Sequence, residues 1–259
     1  MRRAQSMTER QPLAGRAFAA EWPILFHIGF SFEVPTRRIA GLLPAGVEAV
    51  EPLPGVALLN LLHARHAPSS MGGARPYDEV VASILVQPDL SLSMPLPRLT
   101  LYVLKVLSNS KSFVDYKVPA LKMPVHYEPS LGSELRADRM GCEVRDARGP
   151  IFSLASTSPS PVFKERAFTG QYFAQPEPQH VRPRGSLEGG VHHGVWRWAG
   201  PLFETQKAER ADYTLHAHPL FDELGLGEIG ASRCFMQQVG RPGARVHMWT
   251  YQTRLFARA

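Results

Sequence analysis

Cysteine and long apolar runs are both scarce in this 259-residue chain. Cys142 and Cys234 are the only cysteines and lie far apart in the sequence, so a disulfide framework is not expected. No run approaches the roughly 18 apolar residues of a membrane-spanning helix, and no apolar segment follows the N-terminal arginines as in a signal peptide. We therefore expect a cytoplasmic protein with no membrane partner.

The short motifs of the common nucleotide-binding and hydrolytic sites give no support for those functions. The chain contains no P-loop, G-x-S-x-G, C-x-x-C or H-E-x-x-H, and its G-x-G-x-x-G match, GLGEIG (225–230), follows a candidate helix and not a strand, so dinucleotide binding and serine hydrolysis have no support. Its net charge of +6 comes from scattered arginines rather than from a basic block with interleaved aromatics. This favours a solvated basic surface over a nucleic-acid partner and leaves a small anionic substrate open.

Long helical periodicity is rare, whereas 23 prolines and 21 glycines punctuate short apolar runs. The runs at 56–65, 79–87, 99–107, 149–157, 194–200 and 244–257 are typical of strands. They predict a mainly β (α+β) protein with a few short helices and a closed or cone-shaped barrel, whose interior suits a small-molecule cavity. We expect residues 1–20 to form a flexible N-terminal segment and residues 21–259 to form one domain.

Lysine is the scarce basic residue, and its distribution is uneven. Four of the six lysines lie in one stretch, "KVLSNSKSFVDYKVPALKMP" (105–124). A lysine amine becomes nucleophilic near neutral pH when an apolar pocket or a nearby positive charge lowers its pKa. Lys122 lies between two apolar residues in a proline-flanked turn and is the best candidate. A helix starting at Asn109 or Ser110 should end before Pro119 and place Lys117 on its solvated side.

Two further residues are candidates for proton transfer. Glu79 opens an apolar strand in "ARPYDEVVAS", where it would be either a carboxylate at a cavity mouth or a solvated acid. Tyr251 lies on a C-terminal strand with large residues on both faces, so its hydroxyl is expected to have a partner or a role as a second acid.

In order and spacing, these segments resemble the acetoacetate decarboxylase superfamily. "PYDE" before a strand, the strand "LTLYVLKVLSN", a short helix and the turn "PALKMP" follow one another as in that family, and Glu79 and Lys122 are 43 residues apart. The early "VPTRRIAGLLPAGVEAVEP" is similar to the family's first helix. The resemblance implies a β-cone or double-barrel fold, commonly a homo-oligomer, in which a lysine forms an imine with a ketone.

By position, the resemblance assigns Lys122 as the Schiff-base lysine and Glu79 as the pocket carboxylate. His27 is the nearest polar residue where the family has an arginine, and it joins Tyr77 and Met123 as predicted substrate-binding residues. The turn "LKM" lacks the family's second adjacent lysine. We therefore expect a lyase acting on a small keto acid or related carbonyl compound, either decarboxylase-like or aldolase-dehydratase-like, with a role in secondary metabolism and no cofactor or metal.

Two alternatives remain open at the level of the sequence. The same barrel would serve as an isomerase or cyclase that forms no Schiff base, or as a non-catalytic binding protein. Histidine pairs would instead allow a metal enzyme, since catalytic zinc sites use about three converging ligands. These pairs are His63 with His66, His192 with His193, and His216 with His218.

Overall fold

Strands dominate the computed structural model of the chain. It describes residues 16–44, 47–69, 73–88, 100–138, 140–156, 161–175, 191–205, 211–224, 226 and 234–255. The strands in chain order are β1 (Arg16–Pro35), β2 (Val47–Ala49), β3 (Val56–His66), β4 (Tyr77–Pro88), β5 (Thr100–Ser108), β6 (Val125–Tyr127), β7 (Gly132–Leu135), β8 (Gly141–Asp146), β9 (Gly149–Ser156), β10 (Lys164–Ala174), β11 (Val191–Thr205), β12 (Ala211–Leu215), β13 (Cys234–Gly240) and β14 (Arg245–Leu255). The helices are α1 (Thr36–Ile39), α2 (Lys111–Leu121) and α3 (Pro219–Glu223), with a 3₁₀ turn at Ala40–Leu42.

Seven strands close into a barrel. Around the ring the order is β4, β3, β1, β14, β11, β10 and β5, and β5 pairs back onto β4. All these pairings are antiparallel except that of β5 with β10. Closure leaves no exposed edge in the ring, and alternate residues of each strand point to its interior. The predicted mainly β barrel with short helices is confirmed.

A second sheet, in the order β12, β9, β8 and β7, supplies the other side of the main apolar core. The side chains in this core include Ile28, Leu59, Ile84, Val144 and Phe152, all fully buried. Burying each such side chain contributes about 1.5–3 kcal/mol. Along β4, even-numbered residues such as Ile84 join this core, which leaves odd-numbered residues for the barrel interior.

Glycines let three aromatic rings lie flat across neighbouring strands of the barrel. A Cβ on Gly170, Gly194 or Gly240 would lie 2.4, 2.2 and 2.4 Å from the rings of Trp196, Tyr172 and Trp198, respectively. Two of these pairs stand directly opposite each other in the ladder between β10 and β11. Because glycine has no side chain, these three positions leave room for aromatic rings that form part of the barrel wall.

The predicted domain boundary at residue 21 falls within a strand, because β1 begins at Arg16. Residues 1–15 of the predicted N-terminal segment lie outside the described residues. Among the helices that the structure describes, none is both long and apolar enough to cross a bilayer.

Candidate functional site

The barrel encloses a cavity of about 180 Å³. Its walls are largely apolar and include six aromatic side chains: Trp22, Phe30, Phe168, Tyr172, Trp196 and Trp198. Polar side chains reach it from four strands and one helix: His27, Asn60, His66, Glu79, Lys117 and Gln238. An apolar chamber with a few convergent polar groups is the usual form of a small-molecule site.

The lysine in this cavity is Lys117, on helix α2. Phe113, Lys117 and Leu121 recur every fourth residue and form the buried face of the helix, whereas Lys111 and Asp115 pair on its exposed face. The Lys117 side chain is only 4% exposed. The prediction that Lys117 is solvated is therefore wrong, because the helix turns this residue toward the barrel.

Helix α2 is fixed at both ends. The Ser110 hydroxyl accepts a hydrogen bond from the Phe113 amide at 3.2 Å, so Ser110 is the N-cap, one of the two predicted starts. The predicted end before Pro119 is wrong, since the helix continues through this proline to Leu121. At that end the Tyr172 hydroxyl donates to the Leu121 carbonyl at 3.2 Å, which satisfies one of the free carbonyls of the last turn.

Glu79 is the partner of Lys117. The Lys117 ammonium donates to Glu79 Oε1, and the other carboxylate oxygen lies 2.9 Å from His66 Nε2. Glu79 is buried and points from β4 into the cavity, on the same face as Val81 and Ser83. The sequence alternative of a solvated acid is thereby excluded, and the three residues form a buried hydrogen-bonded chain.

Burial and charge oppose each other within this chain. Burial lowers the pKa of Lys117, although Glu79 acts in the opposite direction. Burial alone would raise the pKa of Glu79, but the charge of Lys117 and the hydrogen bond from His66 hold that pKa below its usual value. The ammonium also lies 4.5 Å from the ring centroid of Phe113, an aromatic face that stabilises a desolvated cation.

Lys122 lies elsewhere. It follows the last residue of α2 with a φ of 56°, in the left-handed region that a lysine rarely adopts, and it is partly exposed. Partial burial lowers its pKa. The structure does not bring Lys122 to Glu79, and Lys122 is not among the described residues that line the cavity. The role predicted for it is thus left to experiment.

The three predicted substrate-binding residues take two kinds of position. His27 and Met123 line the cavity, and the His27 imidazole packs 5.0 Å from the ring of Trp198. Burial, helped by the charges of His63 and His66, lowers the pKa of His27 to about 3. Tyr77 is buried behind the wall, where it stacks on His66 at 4.8 Å and supports the ring that holds Glu79.

For Tyr251 only the backbone is described. It lies in β14, paired with Arg16 of β1, and its side chain falls outside the described residues. Its role as a second acid stays a prediction.

The cavity has a second polar cluster, which no sequence motif marks as a unit. The Ser31 hydroxyl donates to the Asn60 side-chain carbonyl, and the Asn60 amide lies 3.4 Å from the Ser83 carbonyl oxygen. These residues come from β1, β3 and β4, and only the strand register brings them together. From the sequence, His66 is a candidate only as a metal ligand, although its position on the same face of β3 as Asn60 is a usable signal for a cavity residue.

The histidine pairs do not converge on one site. His63 faces away from the cavity and pairs with Asp78 at 2.8 Å, whereas His66 pairs with Glu79, and His218 pairs with Asp146 at 3.0 Å. Within the described part of the chain, no group of three or more His, Cys, Asp and Glu side chains is arranged to hold a metal ion.

Solved structures of several enzymes have the same fold. An acetoacetate decarboxylase-like enzyme from Sphingomonas wittichii RW1 aligns with a TM-score of 0.56 and 13% identity over 92% of each chain. The acetoacetate decarboxylase of Legionella pneumophila subsp. pneumophila strain Philadelphia 1 aligns with a TM-score of 0.58 and 12% identity, over 97% of this chain and 93% of its own.

A third structure is the enduracididine biosynthesis enzyme MppR, complexed with the condensation product of pyruvate and imidazole 4-carboxaldehyde. It aligns with a TM-score of 0.50 and 11% identity, over 90% of this chain and 88% of its own. No protein-family model and no curated protein matches the chain. The structural matches show that the chain has the acetoacetate decarboxylase-like fold, as expected.

Proposed function

We propose that this protein is a diverged member of the acetoacetate decarboxylase superfamily, a lyase that forms an imine between a carbonyl substrate and Lys117. The observation that carries the proposal is the buried Lys117 amine, hydrogen-bonded to Glu79 inside the barrel cavity. The desolvation that lowers the pKa of Lys117 also makes its free-amine form accessible. MppR, which has the same fold, holds a product of carbonyl condensation.

The steps follow from the contacts of the pair. Glu79 takes a proton from the Lys117 ammonium, and the free amine adds to the carbonyl carbon to give a carbinolamine. A proton returned to the hydroxyl lets water leave, and the nitrogen lone pair forms the C=N bond of the iminium. The positive nitrogen then accepts electrons when an adjacent C–C or C–H bond breaks, and hydrolysis of the imine restores the amine.

Borohydride trapping tests the site of imine formation. The protein is incubated with a panel of aldehydes, methyl ketones and keto acids, reduced, and mapped by mass spectrometry. We expect one reduced adduct on Lys117 in the wild type and in Lys122→Met, and none in the double variant Lys117→Met/Glu79→Gln. The double variant removes both members of the pair, so no buried charge is left unpaired. An adduct on Lys122, or unchanged labelling without Lys117, would refute the assignment.

One observation favours a second function for the same cavity. An ammonium that is hydrogen-bonded to a carboxylate is protonated and not nucleophilic, and the pair would then act as an acid and a base without a covalent step. This describes an isomerase or cyclase that forms no Schiff base, or a non-catalytic binding barrel. It predicts saturable binding of carbonyl compounds, measured by tryptophan fluorescence, with no adduct after reduction.

A further inference from the structure

The charges of Lys117 and Glu79 in the cavity balance each other, and this restricts the substrate. Among the described lining residues, the only side chains of Lys, Arg, Asp or Glu are Lys117 and Glu79, and these are bonded to each other. When the lysine becomes an iminium, the same carboxylate still balances it. A substrate that carries a carboxylate would therefore add a second anion to this chamber without an unpaired cation to receive it.

Apart from His66, which is hydrogen-bonded to Glu79, the remaining polar groups are neutral. Burial lowers the pKa of His27 to about 3, so its imidazole is uncharged near neutral pH. Asn60 and Gln238 add amide groups, and Ser31 and Ser83 complete the polar side of the cavity. Such groups exchange hydrogen bonds with a hydroxyl, amide or second carbonyl, but they do not neutralise an anion.

The walls set the size and the character of the rest of the molecule. A cavity of about 180 Å³ is slightly larger than the roughly 150 Å³ apolar cavity that accepts benzene. Its lining of aliphatic and aromatic side chains favours a ring or a branched carbon skeleton over a short polar chain.

We propose that the substrate is an uncharged, largely apolar carbonyl compound, whose carbonyl reaches Lys117 and whose second polar group is a neutral hydrogen-bonding group. This inference rests on the proposed Schiff-base function and narrows it. A compound of this class has no carboxylate to lose, which separates the reaction from decarboxylation and leaves carbon–carbon addition or cleavage, or loss of water.

A pair of probes with the same shape tests the inference. The keto acid of leucine and its primary amide have the same carbon skeleton and the same number of non-hydrogen atoms, but only the acid is charged. Each is trapped on the wild-type protein with borohydride. The amount of adduct on Lys117 is measured relative to the adduct on Nα-acetyl-lysine, whose side-chain amine is free. We expect the normalised labelling by the amide to exceed that by the acid by at least about 100-fold.

A variant supplies the cation that the cavity lacks. His27→Arg places an unpaired positive charge at the cavity wall, so we expect the ratio of amide to acid labelling to fall at least about tenfold. The control is His247→Arg, which adds a cation at a partly exposed position that does not line the cavity and should leave the ratio unchanged. Thermal melting establishes that each variant is folded. The comparison of the two probes on the wild-type protein tests the inference without either variant.

The outcomes separate the two proposals. Labelling of Lys117 by the amide alone supports the substrate class. Comparable labelling by both probes, or preferential labelling by the acid, overturns the substrate class and leaves the Schiff-base function standing. If neither probe nor any member of the carbonyl panel forms an adduct, both the substrate class and the Schiff-base function are overturned.

Discussion

The Lys117 amine and the Glu79 carboxylate are hydrogen-bonded to each other inside the barrel, although the two residues are 38 positions apart in the chain. Each is almost completely buried, so each depends on the other for charge compensation. The strand register places Glu79, and the four-residue spacing of α2 places Lys117. The Lys117–Glu79 pair at the candidate site is thus also a structural contact between helix α2 and strand β4.

Breaking this pair from one side should destabilise the protein more than removing both members. We expect Glu79→Gln and Lys117→Met each to lower the free energy of unfolding by about 3–5 kcal/mol, because each leaves one buried charge unpaired. The double variant should lose less than either single variant. Urea denaturation of the four proteins measures the coupling, and additive losses would show that the two charges do not interact.

Lys122 offers a test of backbone strain. At a φ of 56° we expect Lys122→Gly to raise the free energy of unfolding by up to about 1 kcal/mol, since glycine adopts this conformation without strain. The same substitution at Lys111, the first helical residue of α2, relieves no left-handed strain and should not raise it. Equal effects of the two changes would contradict a left-handed residue at position 122.

Acid should weaken the fold partly through His27. The unfolded chain binds this proton below a pH of 6.5, whereas the folded protein binds it only near a pH of 3, so stability is lost as the pH falls between these values. One such proton contributes a slope of up to about 1.4 kcal/mol per pH unit. We expect His27→Gln to have a flatter dependence of unfolding free energy on pH between 6.5 and 4. Parallel curves for the two proteins would mean that His27 titrates normally when folded.

A glycine far from α2 in sequence should affect the end of that helix. A side chain at Gly194 would meet the Tyr172 ring, and Tyr172 holds the Leu121 carbonyl. We expect Gly194→Ala to lower the free energy of unfolding by about 1–3 kcal/mol and to slow imine trapping at Lys117. The control Gly132→Ala meets no atom within 4 Å and should change neither. Normal trapping by a destabilised Gly194→Ala protein would show that Tyr172 does not position α2.

The sequence predicted the strands better than the site. Strands β3, β4 and β14 are visible as apolar or alternating runs because each has a buried face, and the pattern of short strands predicted a closed or cone-shaped barrel. Glu79, which the sequence left as either a cavity carboxylate or a solvated acid, lines the cavity. Lys117 is predicted on the solvated side of a helix that ends before Pro119, and that end leaves Leu121 outside the helix, so the four-residue spacing of Phe113, Lys117 and Leu121 does not mark a buried face.

Other features of the site depend on contacts that no local pattern encodes. The Ser31–Asn60 bond requires the register of β1 against β3. The left-handed turn at Lys122 has no glycine to mark it. Residues that meet only across strands are specified by the whole barrel and not by their neighbours in sequence.

Closure of the ring also has a consequence for the order in which the protein is made. Glu21 in β1 forms an ion pair with Arg245 in β14, 224 residues later, and β1 and β11 both depend on β13 and β14 for pairing. Such distant pairings make folding slow and leave strand edges open until the partner strands arrive. A chain on the ribosome that lacks β13 and β14 already contains Glu79 and Lys117, but it has no closed barrel in which to bury them.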